Sequence, residues 1–127
     1  MKSSIVEKLK PFAGTKFDVG HDQIDREVWD FLWNFEPLLT KAGWVHVNWV
    51  GGAMFKKKGW PGDYWYGVAN VNDISIEVRP AARPTLMPAA EALSASLKSI
   101  GVEAHTDDNN NSSQNNDAIH LLVGPKR

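Results

Sequence analysis

Two helical stripes organise this chain. Val28, Phe31, Leu32, Phe35, Leu38 and Leu39 fall on one side of a helix over about 25–42. Leu86, Ala90, Leu93, Leu97 and Ile100 do the same over about 86–100. Asp22 or Asp25 can accept the free backbone N–H groups that open the first helix, and Thr85 is placed to do so for the second. Pro37 lies inside the first stripe and predicts a kink, because its ring removes one bond and clashes one turn back. Pro88 reads as a first-turn residue, where its missing N–H has no partner. A glycine follows each stripe, and an apolar residue follows each glycine: Gly43-Trp44 and Gly101-Val102. That is the pattern of a helix closed by a left-handed glycine. Residues 5–11 read as the end of a helix, stopped by Pro11 and Gly14.

Between the helices the apolar period shortens toward two. Strands are predicted over 15–19, 44–50, 64–71, 74–78, 102–105 and 118–123. Phe17 and Val19 share one face of the first, and Ile74, Ile76 and Val78 share one face of the fourth. Residues 51–62 read as a hairpin or long loop, with Trp60-Pro61-Gly62-Asp63 fitting a tight turn. Residues 106–117 are polar and asparagine-rich and read as a mobile loop.

Strand, helix and strand thus occur twice, each time with a lysine in the last helical turn (Lys41, Lys98) and a glycine stop. The pattern predicts an α/β domain: two βαβ-type halves forming one mostly parallel or mixed sheet with helices packed on it, plus a β-hairpin insert. A length of 127 residues fits one such domain over 1–127 with its own core.

Charge narrows the partners. The net charge is −1, so the basic excess that drives phosphate binding is missing and nucleic acid is not an expected partner. The chain has no cysteine, which excludes disulfides and thiolate chemistry. No apolar run approaches the roughly 20 residues of a membrane span. The first residues lack the apolar centre of a signal peptide. The chain as given reads as soluble.

Three groups of residues are candidates for chemistry. His21 and Asp22, with Arg79 and Arg83, flank the starts of the two long helices. Free N–H groups and guanidinium groups there suit a ligand or anion. As ordinary residues they are solvated loop positions. Neither GxGxxG nor a P-loop accompanies them, so no dinucleotide or triphosphate cofactor is expected. The second group is Lys56, Lys57 and Lys58 followed by Trp60, Tyr64, Trp65 and Tyr66, where bases and aromatics together suit an interaction surface. The plainer reading is a lysine-protected hairpin whose aromatics cover the sheet. The third is histidine beside carboxylates: His21 with Asp22, His105 with Asp107 and Asp108, and His120 with Asp117. None has metal-ligand spacing, and no serine sits in a GxSxG turn, so neither a metal nor a catalytic set is expected. Trp29 and Trp33 form a second stripe on the first helix, read as buried on two sides or as meeting another chain.

The segments KPFAG, LTKAGW and DAIHLLVGPKR resemble a family of bacterial α/β domains to which no activity is attached. Pro11, Phe12, Ala13, Gly14, Gly43, Trp44, Gly124, Pro125 and Lys126 carry the resemblance. In that family the domain often follows transmembrane helices and a coiled coil. The resemblance therefore implies a bacterial protein tethered to a membrane through segments outside this chain. The expected function is a non-catalytic ligand-sensing or protein-interaction domain, with a protein or small ligand as partner and a homo-oligomer compatible with it. The alternative is a small α/β enzyme or a nucleotide- or anion-binding protein with its site at the C-terminal edge of the sheet.

Overall fold

The computed structural model describes residues 2–21, 26–50, 53–54, 65–68, 73–109, 115 and 117–124. The chain opens with α1 (Lys2–Leu9), then runs through β1 (Lys16–His21), α2 (Arg26–Lys41) and β2 (Val45–His46). The pair β3 (Ala53–Met54) and β4 (Trp65–Val68) follows. The second half is β5 (Ile74–Val78), α3 (Arg83–Ser99), β6 (Ala104–Asp108) and β7 (Ala118–Val123).

The strands form one mixed, mostly parallel sheet in the order β3-β4-β1-β7-β5-β6, with β2 also on β1. Each predicted half is present: β1 and β2 pair in parallel around α2, and β5 and β6 pair in parallel around α3. The hairpin insert is the antiparallel pair β3–β4, and β4 joins β1 in parallel. The last strand joins the halves, lying parallel to β1 and antiparallel to β5. The two halves therefore run in opposite directions across the sheet.

Strand alternation sorts the side chains into two faces. Phe17, Val19, Ile76, Val78, Ile119 and Leu121 point one way and are fully buried. They form one core with Leu32 and Leu39 of α2, Leu93 and Leu97 of α3, and Ile5 and Leu9 of α1. The indole N–H of Trp44 donates to the Leu9 carbonyl at 3.0 Å and ties α1 to the end of α2.

Both long helices close as their sequences predict. Gly43 and Gly101 have φ of 89° and 80°. Trp44 N–H reaches Leu39 O and Val102 N–H reaches Leu97 O, each at 3.0 Å. This is the double bond pattern of a Schellman ending.

Four local expectations change. The second long helix begins at Arg83, entered through a 3-10 turn at Pro80–Ala82, so Thr85 lies inside it and caps nothing. Pro84 and the 3-10 turn start it instead. Pro88 consequently stands past the first turn, where the N–H it lacks would have bonded the Pro84 carbonyl. The strand after Gly43 is short, Val45–His46. Thr106, Asp107 and Asp108 belong to β6, because pairing with β5 outweighs their loop-like composition.

Candidate functional site

The face of the sheet opposite the core carries different chemistry. Asp18, Gly20, Ser75, Glu77, His120 and Leu122 share it. Among the described residues no helix packs there. Yet Asp18 is 0% exposed and His120 1%.

Register explains how these two meet. Asp18 of β1 lies directly beside His120 of β7. Asp18 Oδ1 sits 2.6 Å from His120 Nδ1, a short charge-assisted distance. The Nδ1–H donates to the carboxylate, leaving Nε2 as the ring's acceptor in the neutral tautomer. The other carboxylate oxygen accepts from Asn115 Nδ2 at 3.0 Å. The same amide donates to the Asn48 carbonyl at 2.9 Å. One asparagine before β7 thus clamps the buried acid to the chain leaving β2.

Trp49 follows Asn48 and lies over this face. Its ring meets the His120 imidazole edge-on, with centroids 5.8 Å apart. Gly20 makes room for it. A Cβ built there would stand 3.1 Å from Trp49 Cζ3 and 2.9 Å from Leu122 Cδ2, so a side chain would lift the indole. In the row beside His120, Glu77 accepts from Ser75 Oγ at 3.1 Å and from Asn109 Nδ2 at 3.0 Å.

A second histidine–acid pair lies inside the core. His46 stacks on Phe17 with centroids 4.7 Å apart, and its Nδ1 is 3.9 Å from Glu36 Oε1. Both groups are buried. At that distance the pair is an electrostatic neighbourhood and not a hydrogen bond.

The residues singled out from sequence are dispersed. His21 ends β1, buried on the core face. It aligns with Val123 and through it with Ile74, the first residue of β5. Arg79 and Arg83 follow the far end of β5. Because the halves are antiparallel, the two helix starts sit at opposite ends of the sheet, and His21 cannot share a pocket with either arginine. Arg83 is ion-paired with Asp108 across the surface. His105 and Asp107 are neighbours on one face of β6, both exposed. The acid beside His120 is Asp18, 102 positions away, and not Asp117, which binds Lys16 at 2.8 Å. That lysine holds the Asp117 carboxyl below its ordinary value of 3.8, chiefly through the hydrogen bond and further through its charge, against a smaller opposing effect of desolvation.

Asp22, Lys56, Lys57, Lys58, Trp60 and Tyr64 lie outside the described residues. Trp65 and Tyr66 are placed on β4 by their backbone alone, and Trp29 and Trp33 on α2 likewise. The loop expectation over 106–117 falls partly on residues outside the described set, but Asn109 and Asn115 are both bonded.

Sequence reasoning missed Asp18, Asn115, Trp49 and Glu77. A signal for the first existed: Asp18 and His120 are the polar interruptions of KFDVGH and AIHLLV, and both sit mid-strand. Among the described residues no group of three or more histidine or carboxylate side chains could hold a metal ion, and no helix is long and apolar enough to cross a membrane. Compared with known proteins, the chain matches no family model, no curated protein and no solved structure.

Proposed function

We propose that this chain is a non-catalytic ligand-sensing domain that reads its ligand at the junction of Asp18, Asn115, Trp49 and His120. The carrying observation is convergence. Two connecting segments, the one leaving β2 and the one entering β7, meet over a single buried histidine–acid pair through one asparagine amide. A ligand that takes over the Asn115 amide or displaces the indole moves both segments at once. That is how a rigid sheet transmits occupancy to its loops. The resemblance of the three sequence segments to membrane-tethered bacterial domains supports a sensory context.

Titration of the isotopically labelled chain with small carboxylates, amines and nucleosides tests this by NMR. Binding should shift the Asn115 side-chain amide, the Trp49 indole N–H and the His120 ring together, and His120→Gln should abolish it. Ligands that bind while leaving these three signals unmoved overturn the proposal.

One observation favours a second reading, a small α/β enzyme. A carboxylate that fixes an imidazole through Nδ1 is the orienting half of a base catalyst. The hydrogen bonds among the described residues bring no serine or threonine hydroxyl to that imidazole. Turnover of an ester or phosphoester, lost in Asp18→Asn, would select this reading.

A further inference from the structure

The end of the sheet where β7 finishes and β5 begins carries a cavity of about 120 Å³. Its place follows from the opposed directions of the two halves. Here α2 starts, after β1, and α3 stops, before β6, and both contribute to the lining. Val28 and Phe31 come from α2, Ile74 from β5, Val123 from β7 and Val102 from the segment after α3. Phe31 is half-buried and stacks on Phe35. Two acids complete the wall: Glu103, which is exposed, and Asp73, which is half-buried. The Asp73 carbonyl accepts from the Gly124 N–H at 2.8 Å and ties together the strand ends that frame the cavity.

We propose that this cavity binds a small quaternary ammonium compound, with its methyl groups against the apolar lining and its charge beside Asp73 and Glu103. Size sets the first limit. An apolar cavity of about 150 Å³ takes a six-carbon ring, so this one takes about five heavy atoms, those of one nitrogen and its methyl groups. Charge sets the second. The start of α2 brings a partial positive charge to this end and the end of α3 a partial negative one, and the two largely offset. The carboxylates then decide the sign and disfavour an anion. Hydrogen bonding sets the third. Most of the lining is hydrocarbon, so a primary ammonium seated there would leave N–H groups unsatisfied. A quaternary ammonium has no N–H to satisfy. Its charge is spread over methyl groups that pack on hydrocarbon, and an aromatic wall attracts it through the ring quadrupole.

The site is separate from the junction of Asp18 and His120. Val123 and Ile74 are on the core side of their strands, and His120 is on the other.

Tetramethylammonium chloride titrated into the isotopically labelled full chain tests this by methyl NMR. The Val28, Ile74, Val102 and Val123 methyl signals should shift together and saturate in the millimolar range, as suits so small a ligand. The neutral isostere tert-butanol matches it in size and shape and should bind roughly tenfold more weakly. Glu103→Gln removes an exposed charge and should weaken tetramethylammonium severalfold. Adding Asp73→Asn should bring the loss to about tenfold, and asparagine accepts the left-handed φ of 58° at that position. Three results would each overturn the proposal: no saturable shift of these methyls, tert-butanol binding as tightly, or full affinity in the double variant.

Discussion

The two faces of this sheet are cut from the same strands and differ in one respect: what covers them. The core face meets three helices, and its positions on β1, β5 and β7 are apolar except at His21. The opposite face meets connecting segments, and it buries Asp18 and His120. Each face also holds one histidine–acid pair, and the pairs contrast in the same way. On the helix side His46 and Glu36 are 3.9 Å apart and the imidazole stacks on Phe17. On the other side His120 and Asp18 are bonded at 2.6 Å, and the acid is held by Asn115 as well. Helices supply apolar surface in bulk, so the two members of a polar pair among them stand farther apart. Connecting segments supply amides and carbonyls, so a polar pair beneath them is satisfied directly.

Truncating the core should have the largest effect. Leu93→Ala should cost about 2–5 kcal/mol, because the cavity adds to the lost transfer energy. Chemical denaturation measures this, and a loss under about 1 kcal/mol would contradict the placement of α3 against the sheet.

Next come the two pairs. Asp18→Ala leaves His120 buried without its acid and should destabilise by about 3 kcal/mol or more. A double-mutant cycle of Asp18→Ala with His120→Ala should give a larger coupling energy than the cycle of Glu36→Ala with His46→Ala. Equal couplings would erase the distinction between the faces.

Gly20→Val tests the face opposite the core. The new side chain meets both Trp49 and Leu122, so overpacking should cost about 1–3 kcal/mol. It should also shift the Trp49 indole N–H resonance while leaving the core methyl signals in place. A core-wide disturbance instead would place the strain elsewhere.

The smallest effect belongs to the exposed bridge between Lys16 and Asp117. Lys16→Met should cost only about 0.2–1 kcal/mol near neutral pH. Because the folded carboxyl titrates below its ordinary value of 3.8, the bridge contributes fully above that pH and is lost as pH falls through the depressed value. The wild-type and variant melting temperatures should therefore converge in acid. A gap that widens there would give the wrong sign.

The core face was legible because its signal is local. Val28 through Leu39, Leu86 through Leu97 and Ile74 through Val78 declare their period within a few residues, and the apolar members of each stripe are buried as that period requires, except Phe31, which is partly buried. The helix ends were legible for the same reason, since a left-handed position admits glycine with little strain. The face opposite the core was not. Alternation puts Asp18 opposite Phe17 and Val19, and taken alone that position reads as solvent. It is buried because His120 arrives from the far end of the chain and Trp49 lies across Gly20. The local acid Asp117 made a plausible neighbour for His120, but it stands exposed in the turn before β7, paired with Lys16, while His120 is buried within the strand. Thr106–Asp108 were hidden differently: an edge strand with one exposed face tolerates polar residues, so its composition matches that of a loop.

By itself, then, the sequence determined that two long helices alternate with strands, where those helices stop, and which stripes enter the core. These follow from side-chain periodicity and from backbone angles that few residues tolerate. The tertiary structure alone decided that β7 would pass between the halves and run antiparallel to β5. That placement joins Asp18 to His120 and sends His21 and the two arginines to opposite ends. Strand order and direction depend on pairings between distant segments, whose energy is shared across the whole sheet and is written at no single position in the chain.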